Sequence, residues 1–421
     1  MSADGVVNLS DVPTEEAIFG WISEVFDQGI RWPAIRRTSE RKGGSPTSSA
    51  ASGSATSGLN PPPSRAGSPP TGRSRSSAPT AGPRRSIASP CRSLRRSTAP
   101  STSCRSALSS KRSWSPSIEA GAAAFIGTLT DYPGNSFNYF VPYDAIARPI
   151  PGVWVNGTDG AWLRDQLARG PVRVRLTVAS EREDVESHNV VGELEGADEE
   201  TVMIGSHHDG PWASAVEDGS GISLVLAQAT YWAAQPVERR PHRLVFVLQG
   251  GHMSGGAGLR GYIEAHRAEL AQVVLEVHLE HAALEFAVRG GDVVPTGEPV
   301  PRWFFTSRNP SLESAVAEAL EAEQLGRSMI LAPDAFGEQP RTDGAFYHRE
   351  GVPVMNFLTA PFYLFDAMDT LDKIDRENLV PLPRPRSASS SPPVGLPPPR
   401  SGQRWWISLA ARRDHGPTLR P

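Results

Sequence analysis

Cysteine is almost absent from this 421-residue sequence, and the two that occur, Cys91 and Cys104, lie in one Arg- and Ser-rich stretch. The rest of the chain therefore has neither a disulfide framework nor a thiol nucleophile. Acidic residues are missing locally: there is no Asp or Glu from Arg41 to Pro116, and Asp414 is the only one from Val380 onward. No apolar run is long enough to cross a bilayer, and no N-terminal stretch has the basic end, apolar centre and cleavage site of a secretory signal. These absences lead to the expectation of a soluble, cytoplasmic protein with no membrane partner. Gly250 to Gly261 is rich in glycine but lacks the strand-Gly-x-Gly-x-x-Gly-helix spacing of a dinucleotide site. No Gly-x-Ser-x-Gly elbow is present either, so a Ser nucleophile of that type is excluded.

The net charge of -4 argues against nucleic-acid binding by bulk charge. The two acid-poor stretches, 38–117 and 381–421, hold too few large apolar residues to offset chain entropy and are expected to be disordered. A solvated linker and tail would account for them, as would a basic arm built on the Arg-Ser clusters around Arg84, Arg95 and Arg105. An out-of-frame reading of a GC-rich gene also would. The abrupt change near Arg36 to Thr38 and the return near Ile118 favour this last explanation.

Five segments follow from this reading: an N-terminal helical part of the main domain (1–37), the low-complexity stretch (38–117), a small β-rich insert (118–185), an α/β domain (186–380) and the tail (381–421). Glu15 to Phe26 has apolar residues at helical spacing and predicts an amphipathic helix. Trp162 to Leu167 predicts a short helix, and Val172 to Val178 alternates like a half-exposed strand. From Asn189 the pattern is strand and helix in turn. Strands are predicted at Val190 to Leu194, Val202 to Ser206, Arg243 to Leu248, Val273 to Leu279, Ser328 to Leu331 and Val352 to Phe357. Helices are predicted at Ile222 to Trp232, Gly258 to His266, Pro310 to Ala322 and Leu371 to Leu379, with a helical turn at Asp343 to Arg349. The fold class is α/β, a central sheet covered by helices on both faces, with its ligand site at the strand ends.

At those predicted strand ends stand His207, Asp209, Glu217, Asp218, His252, Glu280, His281 and Asp343. Imidazole nitrogen and carboxylate oxygen are the donors zinc takes, and a ligating imidazole needs a second group to hold its ring. Asp209, two residues after His207, is placed to supply that hold. Asp218 also stands just before an apolar helix, where a capping carboxylate is ordinary. Glu217, beside it, reads equally as a solvated carboxylate. His242, His266 and His348 sit among polar residues and read as solvated.

His207-His208-Asp209 at the end of an apolar strand, followed by Asp218-Gly219-Ser220-Gly221 at the start of a helix, resembles the di-zinc aminopeptidase family of metallopeptidases. This is the group that contains aminopeptidase Y and glutamate carboxypeptidase. The resemblance runs from Asn189 to Leu226 and extends to about Asn378 through Thr342-Asp343 and Asp369-Thr370-Leu371-Asp372. It implies a mixed sheet, one or two zinc ions, and a peptide or amide substrate. It further implies that His207 is a zinc ligand, Asp209 its orienting partner and Asp218 a bridging carboxylate. Ala120 to Val178 looks like part of the protease-associated domain common in that family.

Where the family carries a pair of glutamates, a general base and then a zinc ligand, this chain has Gln249-Gly250-Gly251-His252-Met253-Ser254. His252 can take over the ligand role, whereas Gly251 cannot act as a base. Glu280 corresponds to the next ligand, and Phe365 stands where the last His ligand would be. The expected metal set is His207, Asp218, His252 and Glu280, with Asp209, Glu280 and His281 as the catalytic candidates. Two functions follow: a zinc-dependent hydrolase of the aminopeptidase type, or an inactive relative that acts as a binding or scaffold protein.

Overall fold

The computed structural model describes residues 11–31, 110–130, 132, 136–179, 184–290 and 292–379. The low-complexity stretch up to 109 and the tail from 381, with the readings made for them, lie outside the described residues. What is described falls into two compact units. One comprises 110–130 and 148–179, and the other 11–31, 132, 136–147, 184–290 and 292–379.

The smaller unit holds α2 (Ser110–Glu119), the parallel pair β1 (Phe125–Thr128) and β2 (Gly152–Val155), and α3 (Gly157–Arg169). Its helix begins at Ser110, inside the stretch expected to be disordered to residue 117. Trp114 stacks on Phe125 at 4.8 Å, and Phe125 meets Trp154 edge-on at 5.6 Å. Asn156 caps α3 by accepting from Asp159 N. Val172 to Val178 is not a strand, because among the described residues no neighbour offers it a ladder. The expected insert is also shorter than 118–185, since 132 and 136–147 pack into the larger unit.

That larger unit is built on a seven-stranded mixed sheet. Its strands in chain order are β3 (Val190–Leu194), β4 (Thr201–His207), β5 (Arg243–Gln249), β6 (Val273–Leu279), β9 (Arg302–Thr306), β10 (Ser328–Leu331) and β11 (Val354–Leu358). In space the order is β10-β9-β11-β6-β4-β5-β3. Strands β4, β5, β6 and β11 run parallel, with β3 antiparallel at one side and β9 antiparallel to β11 at the other. All seven residues of β4 and of β6 are buried, as befits central strands covered on both faces. Between β6 and β9 lies a hairpin, β7 (Leu284–Arg289) and β8 (Asp292–Pro299), that the sequence pattern did not predict; β9 was not predicted either.

One face of the sheet is covered by α1 (Glu15–Asp27) and α4 (Gly221–Ala234), which share a core cluster with Ile204, Leu244 and Val277. Thr14 caps α1 by accepting from Ala17 N, and Ile18 and Ile22 are its fully buried stripe. Another core cluster joins α5 (Ala257–Ala265) and α7 (Ala345–Arg349) to the sheet through Met203, Val245, Leu259, Tyr347 and Val354. A further helix, α6 (Pro310–Ala322), starts at Asn309, whose side chain accepts from Ser311 N and Leu312 N. The helix expected at Leu371 to Leu379 is broken into a short turn at Leu371–Lys373 and α8 (Arg376–Leu379). No helix among the described residues is long and apolar enough to cross a membrane.

Candidate metal centre

The parallel strands β4, β5 and β6 end together, and the loops that leave them carry the polar residues. His207 is the last residue of β4 and has no exposed surface. Its Nδ1 lies 2.8 Å from the Asp209 main-chain oxygen. Because a carbonyl can only accept, Nδ1 carries the proton and the Nε2 lone pair faces the pocket. The Asp209 carboxylate is 3.9 Å away and bonded elsewhere, accepting from His252 N (3.0 Å) and Met253 N (2.8 Å). Asp209 therefore positions both imidazoles, the first through its main chain and the second by anchoring the loop after β5.

That loop turns on left-handed glycines, Gly251 at φ 79°, Gly255 at φ 71° and Gly256 at φ 72°, a conformation that side chains with a Cβ resist. This backbone need accounts for Gly251, Gly255 and Gly256 within the glycine-rich run. It lays the His252 ring on that of His207, with centroids 4.0 Å apart and planes 9° apart. His252 Nδ1 lies 2.8 Å from Asp343 Oδ2, so its Nε2 also turns to the pocket.

His281 follows β6 in a left-handed backbone conformation, φ 57°, unusual for a residue with a side chain. Its Nδ1 donates to Thr359 O at 2.9 Å, which presents a third Nε2.

All three imidazoles converge on Glu217, not on Asp218. His207 Nε2 is 3.3 Å and His252 Nε2 3.6 Å from Glu217 Oε1, and His281 Nε2 is 2.6 Å from Oε2. None of these approaches has the alignment of a hydrogen bond. Both Glu217 oxygens and the Nε2 atoms of His207 and His281 are buried without a hydrogen-bond partner.

Asp218 is committed to its own loop and does not face the imidazoles, contrary to the bridging role expected for it. It accepts from the Ser206 hydroxyl, from Gly221 N at 3.0 Å and from His281 N at 3.3 Å. The carboxylate next to the helix is thus used by the helix start. The one before it is left for the pocket.

The Glu217 loop is fastened from beneath. Asp369 accepts from Val216 N (2.8 Å) and Glu217 N (2.9 Å), and burial raises its pKa to about 7. Arg31 donates to the main-chain oxygens of His208 (3.1 Å), Ala213, Ser214 (3.0 Å) and Glu217 (3.1 Å). Replacing it would leave several buried carbonyls unpaired, each such group costing about 1–3 kcal/mol. Arg31→Ala is expected to lower unfolding stability by about 2 kcal/mol or more in urea denaturation, while Arg289→Ala, at an exposed hairpin position, serves as the control.

A second cluster lies deeper. His278 is held between Glu276 Oε1 (2.8 Å from Nδ1) and Glu280 Oε1 (3.0 Å from Nε2), the latter without hydrogen-bond alignment. Asn356 donates to the other Glu276 oxygen at 3.0 Å, and Asp343 N donates to Glu280 Oε1 at 3.3 Å. Asp343 thereby links this cluster to His252.

The electrostatics follow from these contacts. Burial opposes charge on His252 and His281, but Asp343 and Glu217 respectively outweigh it and raise each pKa to about 10. Burial and His252 oppose charge on His207, and Glu217 still brings its pKa up. Burial opposes ionisation of Glu217, yet His281 and His207 hold it well below the usual carboxylate range.

Groups of side chains whose ligand atoms all lie within 4.8 Å of one another occur at His207, Glu217 and His252, at His278, Glu280 and Asp343, and at Asp198, Glu200 and His242. The structure thus brings together His207, His252 and His281 around Glu217, and places Glu280 in the deeper cluster. His242, expected to be solvated, is buried and lies 2.9 Å from Asp198. Three contributors escaped the sequence reading: the pocket-facing role of Glu217, Arg31, and Tyr143. The Tyr143 ring stacks on His252 at 5.3 Å and leans on Phe365 at 5.0 Å. Phe365 occupies the position where the family resemblance places a His, and its main-chain oxygen accepts from Phe140 N (2.8 Å) and Trp212 Nε1 (3.1 Å).

Residues 189–382 match the family model described as Peptidase family M28. Solved structures are similar to it as well. A zinc aminopeptidase from Bacillus subtilis shares 17% identity over 65% of this chain and 65% of its own, with a TM-score of 0.48. A peptidase M28 precursor from Shewanella amazonensis SB2B shares 20% over 74% of this chain and 63% of its own, TM-score 0.49. An aminopeptidase from Aneurinibacillus sp. strain AM-1 shares 20% over 62% and 61%, TM-score 0.42. The chain spans less than two thirds of the length of each of these three. A search of curated proteins gave no match.

Proposed function

We propose that this protein is a metal-dependent hydrolase of the aminopeptidase type, with zinc as its metal and a peptide or amide as its substrate. The observation that carries this is the convergence of three imidazole Nε2 atoms on the two unpartnered oxygens of buried Glu217. Imidazole with carboxylate is a zinc donor set. His207, His252 and Glu217, whose ligand atoms lie within 4.8 Å of one another, would hold the ion, and His281 stands against the other Glu217 oxygen. Bound zinc supplies Lewis acidity, polarising a scissile carbonyl and easing deprotonation of water.

Glu280 is the carboxylate assigned to proton transfer; its Oε1 accepts from Asp343 N and lies 3.0 Å from His278 Nε2. It takes a proton from the attacking water and returns it to the leaving amine. Tyr143 is half-buried over His252, and its hydroxyl has no hydrogen-bond partner among the described residues, which leaves it to donate to the substrate oxygen. Losing one such donor costs about 10²–10³-fold in kcat. Tyr143→Phe is expected to lower kcat by about 10²-fold, read in steady-state kinetics, with the zinc content unchanged.

Metal uptake must displace protons from the imidazoles. Because the pKa values of His252 and His281 are raised to about 10, both are charged at neutral pH without metal. Zinc affinity is therefore expected to rise with pH between 6 and 8, with protons released on binding, as titration calorimetry in buffers of different ionisation enthalpy would show.

The hydrolase reading is tested with a panel of aminoacyl amides. Turnover lost to a chelator and restored by zinc supports it. Tightly bound zinc with no turnover on any amide would favour the inactive relative instead, a reading supported by the absence of a carboxylate in the Gln249-Gly250-Gly251-His252 loop. The assignment of the smaller unit as a remnant of a protease-associated domain, and a cytoplasmic location, belong to the same proposal. Cell fractionation tests the location.

A further inference from the structure

We infer that the protein carries a metal site outside the pocket, at the opposite end of the sheet, where His242, Asp198 and Glu200 hold a divalent ion of the zinc type. Glu200 directly precedes β4 and His242 directly precedes β5, and the two strands run parallel. Both residues therefore lie at the strand starts. The strand ends that carry His207 are about 20 Å further along the sheet, since each residue of a strand advances about 3.3 Å. Asp198 stands in the turn between β3 and β4, which is pressed onto the chain around His242. Ala197 N donates to Arg240 O at 2.8 Å and Arg243 N to Glu200 O at 2.9 Å. A Cβ on Gly196 would collide with the main-chain oxygen of His242, so only glycine allows this approach.

The His242 side chain is only 3% exposed, and its Nε2 is buried with no hydrogen-bond partner. Nδ1 faces both carboxylates, 2.9 Å from Asp198 Oδ1 and 3.7 Å from Glu200 Oε2. One ligand atom from each of the three residues lies within 4.8 Å of the others. Donors bound about 2.0–2.2 Å from a tetrahedral zinc stand roughly 3.3–3.6 Å from each other, between the two spacings at His242. A hydrogen bond from Nδ1 accounts for Asp198 alone and leaves Glu200, close to the same nitrogen, without a role. Glu200 N donates to Asp198 Oδ1 at 3.1 Å, which fixes the turn that brings both acids to the ring. Among the described residues neither carboxylate pairs with Lys or Arg. Two carboxylates with a neutral imidazole balance a divalent charge, and the imidazole favours zinc over calcium or magnesium. The Asp198 and Glu200 side chains are 49% and 42% exposed, so an ion enters from solvent, keeps water in its remaining position and is held less tightly than in the pocket. It ties the β3–β4 turn to the start of β5 and so braces β3, an edge strand whose residues are mostly exposed.

The test measures zinc content by inductively coupled plasma mass spectrometry on the full chain after equilibrium dialysis against buffered zinc. His242→Gln and the double variant Asp198→Asn with Glu200→Gln, each with the circular dichroism of the parent, are expected to bind one equivalent less than the parent. The double variant changes only half-exposed side chains, so the result does not hang on whether a buried histidine can be replaced. Glu217→Gln is expected to retain the equivalent that those variants lose. Zinc content equal to that of the parent in the double variant would overturn the site. Failure of the pocket reading looks different: no turnover on any amide, with the difference of one equivalent intact.

Discussion

Glu217→Ala is expected to abolish tight zinc binding and all amide hydrolysis, and to do so more completely than any other single substitution in the pocket. Removing a group that only orients a ligand typically costs 10–100-fold in metal affinity. Glu217 faces three imidazoles directly, so its loss should exceed about 10²-fold. The substitution also removes a buried carboxylate from beside His281 and His207, which lowers their affinity for protons. Zinc titration against a chelating competitor measures the first effect, and steady-state kinetics the second. Asp218→Asn supplies the contrast. That carboxylate caps and ties the loop, so its loss should show as about 1–3 kcal/mol of stability, with zinc stoichiometry retained in folded protein.

The second large effect is expected from a residue that does not touch the metal set's centre. Asp343→Ala frees Nδ1 of His252, removing the acceptor 2.8 Å away that fixes which nitrogen faces the pocket. Zinc affinity should fall by about 10–100-fold. Asp343→Asn should be milder, because an amide oxygen can still accept from Nδ1–H. A neutral acceptor weakens the hold without reversing the ring. An equal loss in both variants would mean that the charge of Asp343, rather than its geometry, sets the affinity. An unchanged affinity in both would break the proposed link between Asp343 and His252.

The architecture was largely legible in the sequence, since β3, β4, β5, β6, β10 and β11 all lie where the apolar runs placed them. The β7–β8 hairpin was not. Its second strand, Asp292–Pro299, contains Pro295, Gly297 and Pro299, residues that read as loop and are tolerated only in short or edge ladders. The helix expected at Leu371 to Leu379 failed for a different reason: Ile374 is buried and bridges to Ala283, and that contact interrupts the turn.

At the site, the residue types and their strand-end placement were legible, but the choice between Glu217 and Asp218 was not. Adjacent carboxylates look alike in a sequence, and only their backbone geometry decides which one serves the helix and which the pocket. Arg31 and Tyr143 were missed because they are far from the motif in sequence. Their roles arise from tertiary packing, which no local spacing records.

An anomalous difference map collected at the zinc edge from crystals grown with zinc tests the central claim most directly. The account predicts a peak among Glu217 and the Nε2 atoms of His207 and His252. A peak at Asp218, at His278 or at neither place would contradict it.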